Sequence, residues 1–392
     1  MRSIKQVSFL ALALLAVQPL AAASEQSDPP LETVLPPEGY KPTDKDERGL
    51  WMQADEAERN LKLSRFVIRD EALNSYVRGV FCRTVGQEKC SHVRIYITRT
   101  PYFNASMMPN GTMQIWSGLL LRMRNEAQLA AVLGHEFAHY EKRHGILLFR
   151  DIKKKTSAAA WLSFVPFGFI ASMGIISSIF SYNRNMEREA DYQSLDMLAA
   201  NGYNPEEASK VWGQLRDEMD ATALARGKKS RKDKNGGIFA THPPSAERMA
   251  ELAKRATAMK SSNDPIAARA QYVGALGKWW PAFIDDQIKL NDFGASDHLI
   301  KGLAGEVWTA DLLFARGELY RSRGKADDLK AAIGFFNQGI ATGVCFADCW
   351  RGLGLAQLRS GAAEEGKVAL KEYLMRDPEA HDRALIASMV GE

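Results

Sequence analysis

Apolar and polar positions follow two different periods along this chain, and the change of period marks out its elements. Residues 46–80 carry apolar side chains at helical spacing. Two short runs then change the rhythm: "VRIYIT" (93–98) and "TMQIWS" (112–117) alternate or run apolar, as strands do. "PNG" (109–111) is a turn signal between extended segments. The expectation is a small antiparallel sheet, followed by a helix beginning in "NEAQLAAVLG". There Leu129, Val132 and Leu133 recur at i, i+3 and i+4 and form an apolar stripe. Further on, "SAAAWLSFVPFGFIASMGIISSIFSY" (157–182) is long and apolar enough to read as a membrane span. Pro166 and Gly168 near its front are able to break it into a hairpin.

The two ends differ from the middle. "MRSIKQVSFLALALLAVQPLAAAS" has Arg2 and Lys5, an apolar stretch and then Ala21-Ala22-Ala23, the layout of a secretory signal peptide over 1–23. A proline-rich polar stretch follows and reads as an N-terminal arm over 24–45. At the other end, "CWRGLGLAQLRSGAAEEGKVALKEYLMRDP" (349–378) resembles the tetratricopeptide pattern through Trp350, Leu353, Gly354, Leu370 and Pro378. Residues 312–341 give a degenerate, lengthened copy with Gly317, Tyr320, Ala332 and Phe336. The expectation for 263–392 is a small stack of helix pairs, which bury their apolar faces only against neighbours.

Composition narrows the function. The 392 residues suffice for two or three domains. A net charge of +4 is too small to imply nucleic-acid binding, and no basic stripe with interleaved aromatics appears. The basic run "RGKKSRKDKNGG" (226–237) has glycines and no apolar period, and reads as a flexible loop. The four cysteines fall in two local pairs, Cys82 with Cys90 and Cys345 with Cys349. Four cysteines allow three connectivities. A local disulfide in each pair suits the oxidising compartment that the N-terminus implies. No CxxC spacing occurs, so cysteine-held zinc is a poor reading.

The candidate chemistry lies in "AAVLGHEFAHYEKRHG" (130–145). On a helix, His135 and His139 differ by about 40° and share one face, with Glu136 beside them. Two imidazoles for one zinc and a carboxylate able to act on the bound water make the HExxH arrangement. His144 lies about 140° from His139, so it joins that face only if the helix breaks. A third ligand is offered by "NRNMEREADYQSLDMLA" (183–199), where Glu187 and Asp191 sit one turn apart. Glu187 completes a His, His, Glu set, and Asp191 is placed to fix a ligand imidazole through a hydrogen bond. The competing reading is a solvated face paired with Arg184 and Arg188.

HExxH followed some fifty residues later by a helix with E-x-x-A-D resembles the HtpX and CAAX-prenyl-endopeptidase family of zinc metallopeptidases. "YFNASMMPNGTMQIWSGLL" (102–120) is similar to the family's strand and hairpin, and "THPPSAERM" (241–249) to its downstream His-Pro segment. The resemblance covers residues 45–255 or so and is to the periplasmic kind that carries C-terminal tetratricopeptide repeats. It implies an α+β, mainly helical gluzincin-type domain over 46–260 with one zinc per chain. Glu136 would serve as general base, and His242 as oxyanion donor or as a removable fourth ligand. A histidine that only caps the next helix is the plainer reading of His242. The family usually has Ser-Arg ahead of the third ligand. Here Asn183-Arg184 stands there, which leaves Arg184 as an outer partner of the site. Asn104 and Ala105 match positions beside the site, on an edge strand suited to pairing with an extended substrate.

Function follows as two readings. One is a periplasmic zinc endopeptidase for unfolded or misassembled envelope proteins. The other is a chaperone or outer-membrane assembly factor that binds clients through its repeats, with proteolysis latent. His135/His139 and Glu187 must meet on one side of any membrane, so 157–182 does not cross as a single span. It is a buried helical pair, a lid over the cleft, or a patch on the membrane surface.

Overall fold

The computed structural model describes residues 40–155, 183–230, 246–259 and 265–392. The signal stretch 1–23, nearly all of the N-terminal arm, the apolar segment 157–182 and His242 lie outside the described residues.

Local chemistry sets the first elements. Helix α1 (Lys45–Leu63) starts under Asp44, whose carboxylate accepts from the backbone N–H groups of Asp46 and Glu47 at 3.0 and 2.9 Å. Helix α2 (Glu71–Val85) is capped the same way by Asp70, which accepts from Leu73 N at 2.8 Å. A short α3 (Gln87–Ser91) leads into the sheet, and Cys82 of α2 is bonded to Cys90 of α3 with Cα atoms 5.0 Å apart.

The sheet is mixed rather than antiparallel, which corrects the reading from alternation. Its strands are β1 (Arg94–Thr98), β2 (Ala105–Met107) and β3 (Thr112–Trp116), in the order β1-β3-β2. The Pro109–Gly111 turn makes β2 and β3 an antiparallel hairpin in the register Ala105↔Ile115. Two successive reversals return the chain to the direction of β1. Because β3 is the strand that lands beside β1, that pair is parallel, with Ile97 opposite Ile115. Alternation reports which face a residue takes, not the order of the strands. Gly111 is required at the turn. Its φ is +82°, and a Cβ there would stand 2.4 Å from the carbonyl oxygen of His92.

After α4 (Ser117–Arg122) comes α5 (Glu126–Glu141), capped by Asn125, whose side-chain oxygen accepts from Gln128 N at 2.9 Å. Every residue of α5 from Glu126 to Tyr140 is buried. A helix enclosed on all sides is a core helix, and its polar residues therefore need internal partners. The chain continues through α6 (His144–Lys155), α7 (Arg184–Ala200), α8 (Glu206–Ala225) and α9 (Ala246–Thr257). Helices α2, α7 and α8 and strand β2 all pack on α5. At its crossing with α7, Ser194 Oγ donates to the carbonyl of Ala131 at 2.7 Å.

The remainder is helical: α10 (Pro265–Leu276), a 3-10 turn at Gly277–Trp279, α11 (Trp280–Ile288), α12 (Phe293–Ala304) and α13 (Ala310–Arg323). Then come α14 (Ala326–Ala341), α15 (Asp348–Ser360), α16 (Ala363–Arg376) and α17 (Arg383–Val390). One apolar core runs without interruption from Ile68 through α5 to Leu319 of α13. Smaller clusters follow between α14, α15 and α16 and under α17. In this region α13 pairs with α14 and α15 with α16. Gly354 permits the second pairing, since a Cβ there would fall 2.7 Å from Leu370 Cγ. Cys345 and Cys349 are bonded at the entry to α15, with Cα atoms 6.2 Å apart. Among the described residues no helix is long and apolar enough to cross a membrane.

Candidate metal centre

The spacing of His135 and His139 on α5 puts both rings at one point. Their Nε2 atoms are 3.1 Å apart. Helix α7 brings Glu187 to the same point, with Oε2 3.7 Å from His135 Nε2 and Oε1 3.5 Å from His139 Nε2. Each of the three residues is buried, and one ligand atom from each lies within 4.8 Å of the others. Two imidazole nitrogens and a carboxylate oxygen, buried and converging, are a donor set that fits a divalent transition metal. Glu136, the carboxylate next to the first histidine, is buried as well.

Outer contacts hold these ligands. His135 Nδ1 lies 3.0 Å from Asp191 Oδ1, so the nitrogen facing away from the centre is tied to a carboxylate. Burial pushes the Asp191 carboxyl upward, but Arg248 and His135 outweigh it and hold it down at about 2. Arg248, in the segment "THPPSAERM", is a further residue of the site that sequence alone does not single out. It comes from α9, four residues past "HPP". Its Nη1 is 2.6 Å from Glu187 Oε2, and its Nε and Nη2 lie 2.5 and 2.7 Å from the two oxygens of Asp191. Its guanidinium also stacks 4.1 Å over the Trp212 ring. Burial pulls the Arg248 pKa down, yet the charges of Asp191, Glu187 and Glu136 raise it, so this cation stays charged.

Arg184 does not take the outer role expected of it. Its side chain is 87% exposed and its ion partner is Glu247, at 4.0 Å. Arg184 is the first residue of α7, whereas Glu187, one turn on, is buried against His139 of α5. Glu187 and Asp191 do form one helix face, but a buried one, and the cation on it is Arg248. Arg188 turns outward to Glu251 at 3.1 Å.

His144 returns to the site because the helix breaks. Helix α5 ends at Glu141, Arg143 takes a φ of 56°, and α6 begins at His144. Burial lowers the His144 pKa against the opposing pull of Glu189. Asn104 and Ala105 lie at the start of β2. The Asn104 carbonyl accepts from Trp116 N at 3.0 Å, and Ala105 is buried. At the other end of β2, Met107 and Met108 share a small cavity with His139 and Tyr140.

A carboxylate beside the first of two converging imidazoles, with a further carboxylate from a crossing helix, is compatible with a metallopeptidase site. Residues 68–256, just under half of the chain, match the profile of Peptidase family M48. The chain is 30% identical over 165 residues to the mitochondrial metalloendopeptidase OMA1 of Arabidopsis thaliana, covering 41% of this chain and 31% of that protein. It is 24% identical over 237 residues to the beta-barrel assembly-enhancing protease of Escherichia coli (strain K12), covering 55% and 46%. To metalloprotease YcaL of the same organism it is 31% identical over 172 residues, covering 41% and 61%. The chain thus matches only about a third to three fifths of the length of these relatives.

Proposed function

We propose that this chain is a zinc endopeptidase of the bacterial periplasm that hydrolyses peptide bonds in unfolded or misassembled envelope proteins. The observation that carries the reading is the convergence of His135, His139 and Glu187 beside Glu136 on one buried helix crossing. The compartment is inferred from the signal-like N-terminus and agrees with local cysteine pairing. The substrate class is suggested by the beta-barrel assembly-enhancing proteases among the relatives. The helix pairs of the C-terminal region are read as tetratricopeptide-like, with outer-membrane assembly machinery as a candidate partner. Contact of 157–182 with a membrane surface belongs to the same reading.

In this mechanism His135, His139 and Glu187 hold the zinc, which when bound supplies Lewis acidity toward water and the scissile carbonyl. Asp191 keeps the His135 proton on Nδ1, so that the lone pair for the metal is on Nε2. Glu136 takes the proton of the attacking water and passes it to the leaving amine nitrogen. Arg248 holds the Glu187 and Asp191 carboxylates in place, and His242 is the candidate donor to the oxyanion. The edge of β2 from Asn104 and Ala105 to Met107 is the candidate rail for an extended substrate.

The purified full chain is to be given one β-barrel membrane protein in two forms, unfolded in urea-diluted buffer and folded in detergent. Cleavage of the unfolded form alone, abolished by a zinc chelator and restored by zinc, is the expected result. No cleavage of either, with slower aggregation of the unfolded form, would favour the assembly-factor reading.

A further inference from the structure

The two candidate zinc-binding histidines are secured differently. His135 meets the carboxylate of Asp191 directly, at 3.0 Å. For His139 the nitrogen facing away from the centre, Nδ1, lies 2.9 Å from Nδ1 of His144. The other nitrogen of His144, Nε2, lies 3.3 Å from Oε2 of Glu189. We propose that His144, backed by Glu189, is a positioning residue that fixes the tautomer and orientation of His139 for metal binding. This inference rests on the zinc-site reading above.

One tautomer set satisfies the whole chain of contacts. For His139 to ligate through Nε2, its proton must sit on Nδ1. That N–H donates to Nδ1 of His144, which is then the acceptor. The proton of His144 is thereby on Nε2, from which it donates to the Glu189 carboxylate. Each ligand is so backed by a carboxylate, one directly and one through an imidazole. His144 is not itself a ligand in this arrangement, because it faces the His139 nitrogen that points away from the point where the Nε2 atoms meet.

The bend that delivers His144 is built and anchored. A continuing helix would carry His144 to another face. Arg143, in the left-handed region at φ 56°, turns the chain so that it returns. Its guanidinium is paired with Glu47 of α1. Arg150 and Lys153 of α6 are paired with Asp44 and Asp46 at 3.0 and 2.6 Å. Three ion pairs, one from the bend and two from α6, thus hold this segment to the start of α1. His144 is buried, while the Glu189 side chain is 57% exposed, so the chain of contacts runs from the centre to the surface.

The test measures zinc affinity of the full chain by chelator competition, together with the visible spectrum of the cobalt-substituted protein. His144→Phe keeps a ring but removes the acceptor, whereas His144→Asn keeps an acceptor near the Nδ1 position. The expected result is zinc binding weakened about 10- to 100-fold in His144→Phe, with shifted cobalt bands. His144→Asn should recover most of the affinity, and the metal-free proteins should melt together. Equal weakening in both variants would show a packing role and overturn the proposal, as would wild-type affinity in His144→Phe. Should His144→Phe not fold, Glu189→Gln at the exposed end decides: weaker zinc binding is expected, and unchanged affinity overturns the proposal. Absence of zinc from the wild type would overturn the zinc-site reading and this inference together. Zinc in the wild type with indifferent variants would overturn this inference alone.

Discussion

Glu136→Gln is expected to keep its zinc and to lose peptide hydrolysis by about 10²- to 10⁴-fold or more. The substitution preserves shape and removes only the ability to take a proton. Glu136 is buried on α5 beside the candidate ligand His135, and Arg248 is near enough for the two charges to interact. An amide in this place makes hydrogen bonds but cannot serve as a base. Zinc analysis and casein cleavage on the same preparations separate the two effects. Loss of zinc along with activity would mean that Glu136 holds the site together rather than acting on water.

Arg248→Met is expected to destabilise the metal-free protein by about 3 kcal/mol at neutral pH, because it leaves two buried carboxylates without their cation. Arg248 is shared between Glu187 and Asp191. The pH dependence gives the sign. Asp191 sits at about 2 in the folded protein, below its ordinary value of roughly 3.9 in an unfolded chain. Its contribution is therefore complete above roughly pH 4 and is lost as pH falls through the folded value. Without the guanidinium the folded pKa rises, so the penalty of the substitution is largest near neutrality and shrinks in acid. Urea unfolding of both proteins at pH 7 and pH 4 measures this. A pH-independent penalty would mean that lost packing on Trp212, not lost charge, is the cause.

How much of this was legible depends on how local each feature is. The pairing of His135 with His139 and of Glu187 with Asp191 follows from the turn of a helix, and both pairs share a face as the spacing implied. The hairpin at Pro109–Gly111 was legible because Gly111 has to adopt a positive φ. The direction of β1 was not, since alternation carries no information about which strand becomes its neighbour. His144 was set aside on helical geometry that holds only while the helix continues, and the left-handed Arg143 ends it. Arg248 was missed for a different reason. An arginine near a helix start is ordinary in sequence, and only the packing of α9 against α7 and Trp212 shows that it is buried between two acids. The exposed position of Arg184 is the same lesson in reverse, since nothing local separates it from a buried arginine.

The central claim is one zinc held by His135, His139 and Glu187. Zinc analysis with X-ray absorption on the freshly purified full chain tests it most directly. The account predicts one zinc per chain, with a nitrogen and oxygen shell at about 2.0–2.1 Å and the outer scattering of two imidazoles. A sulfur shell, or no zinc at all, would contradict it.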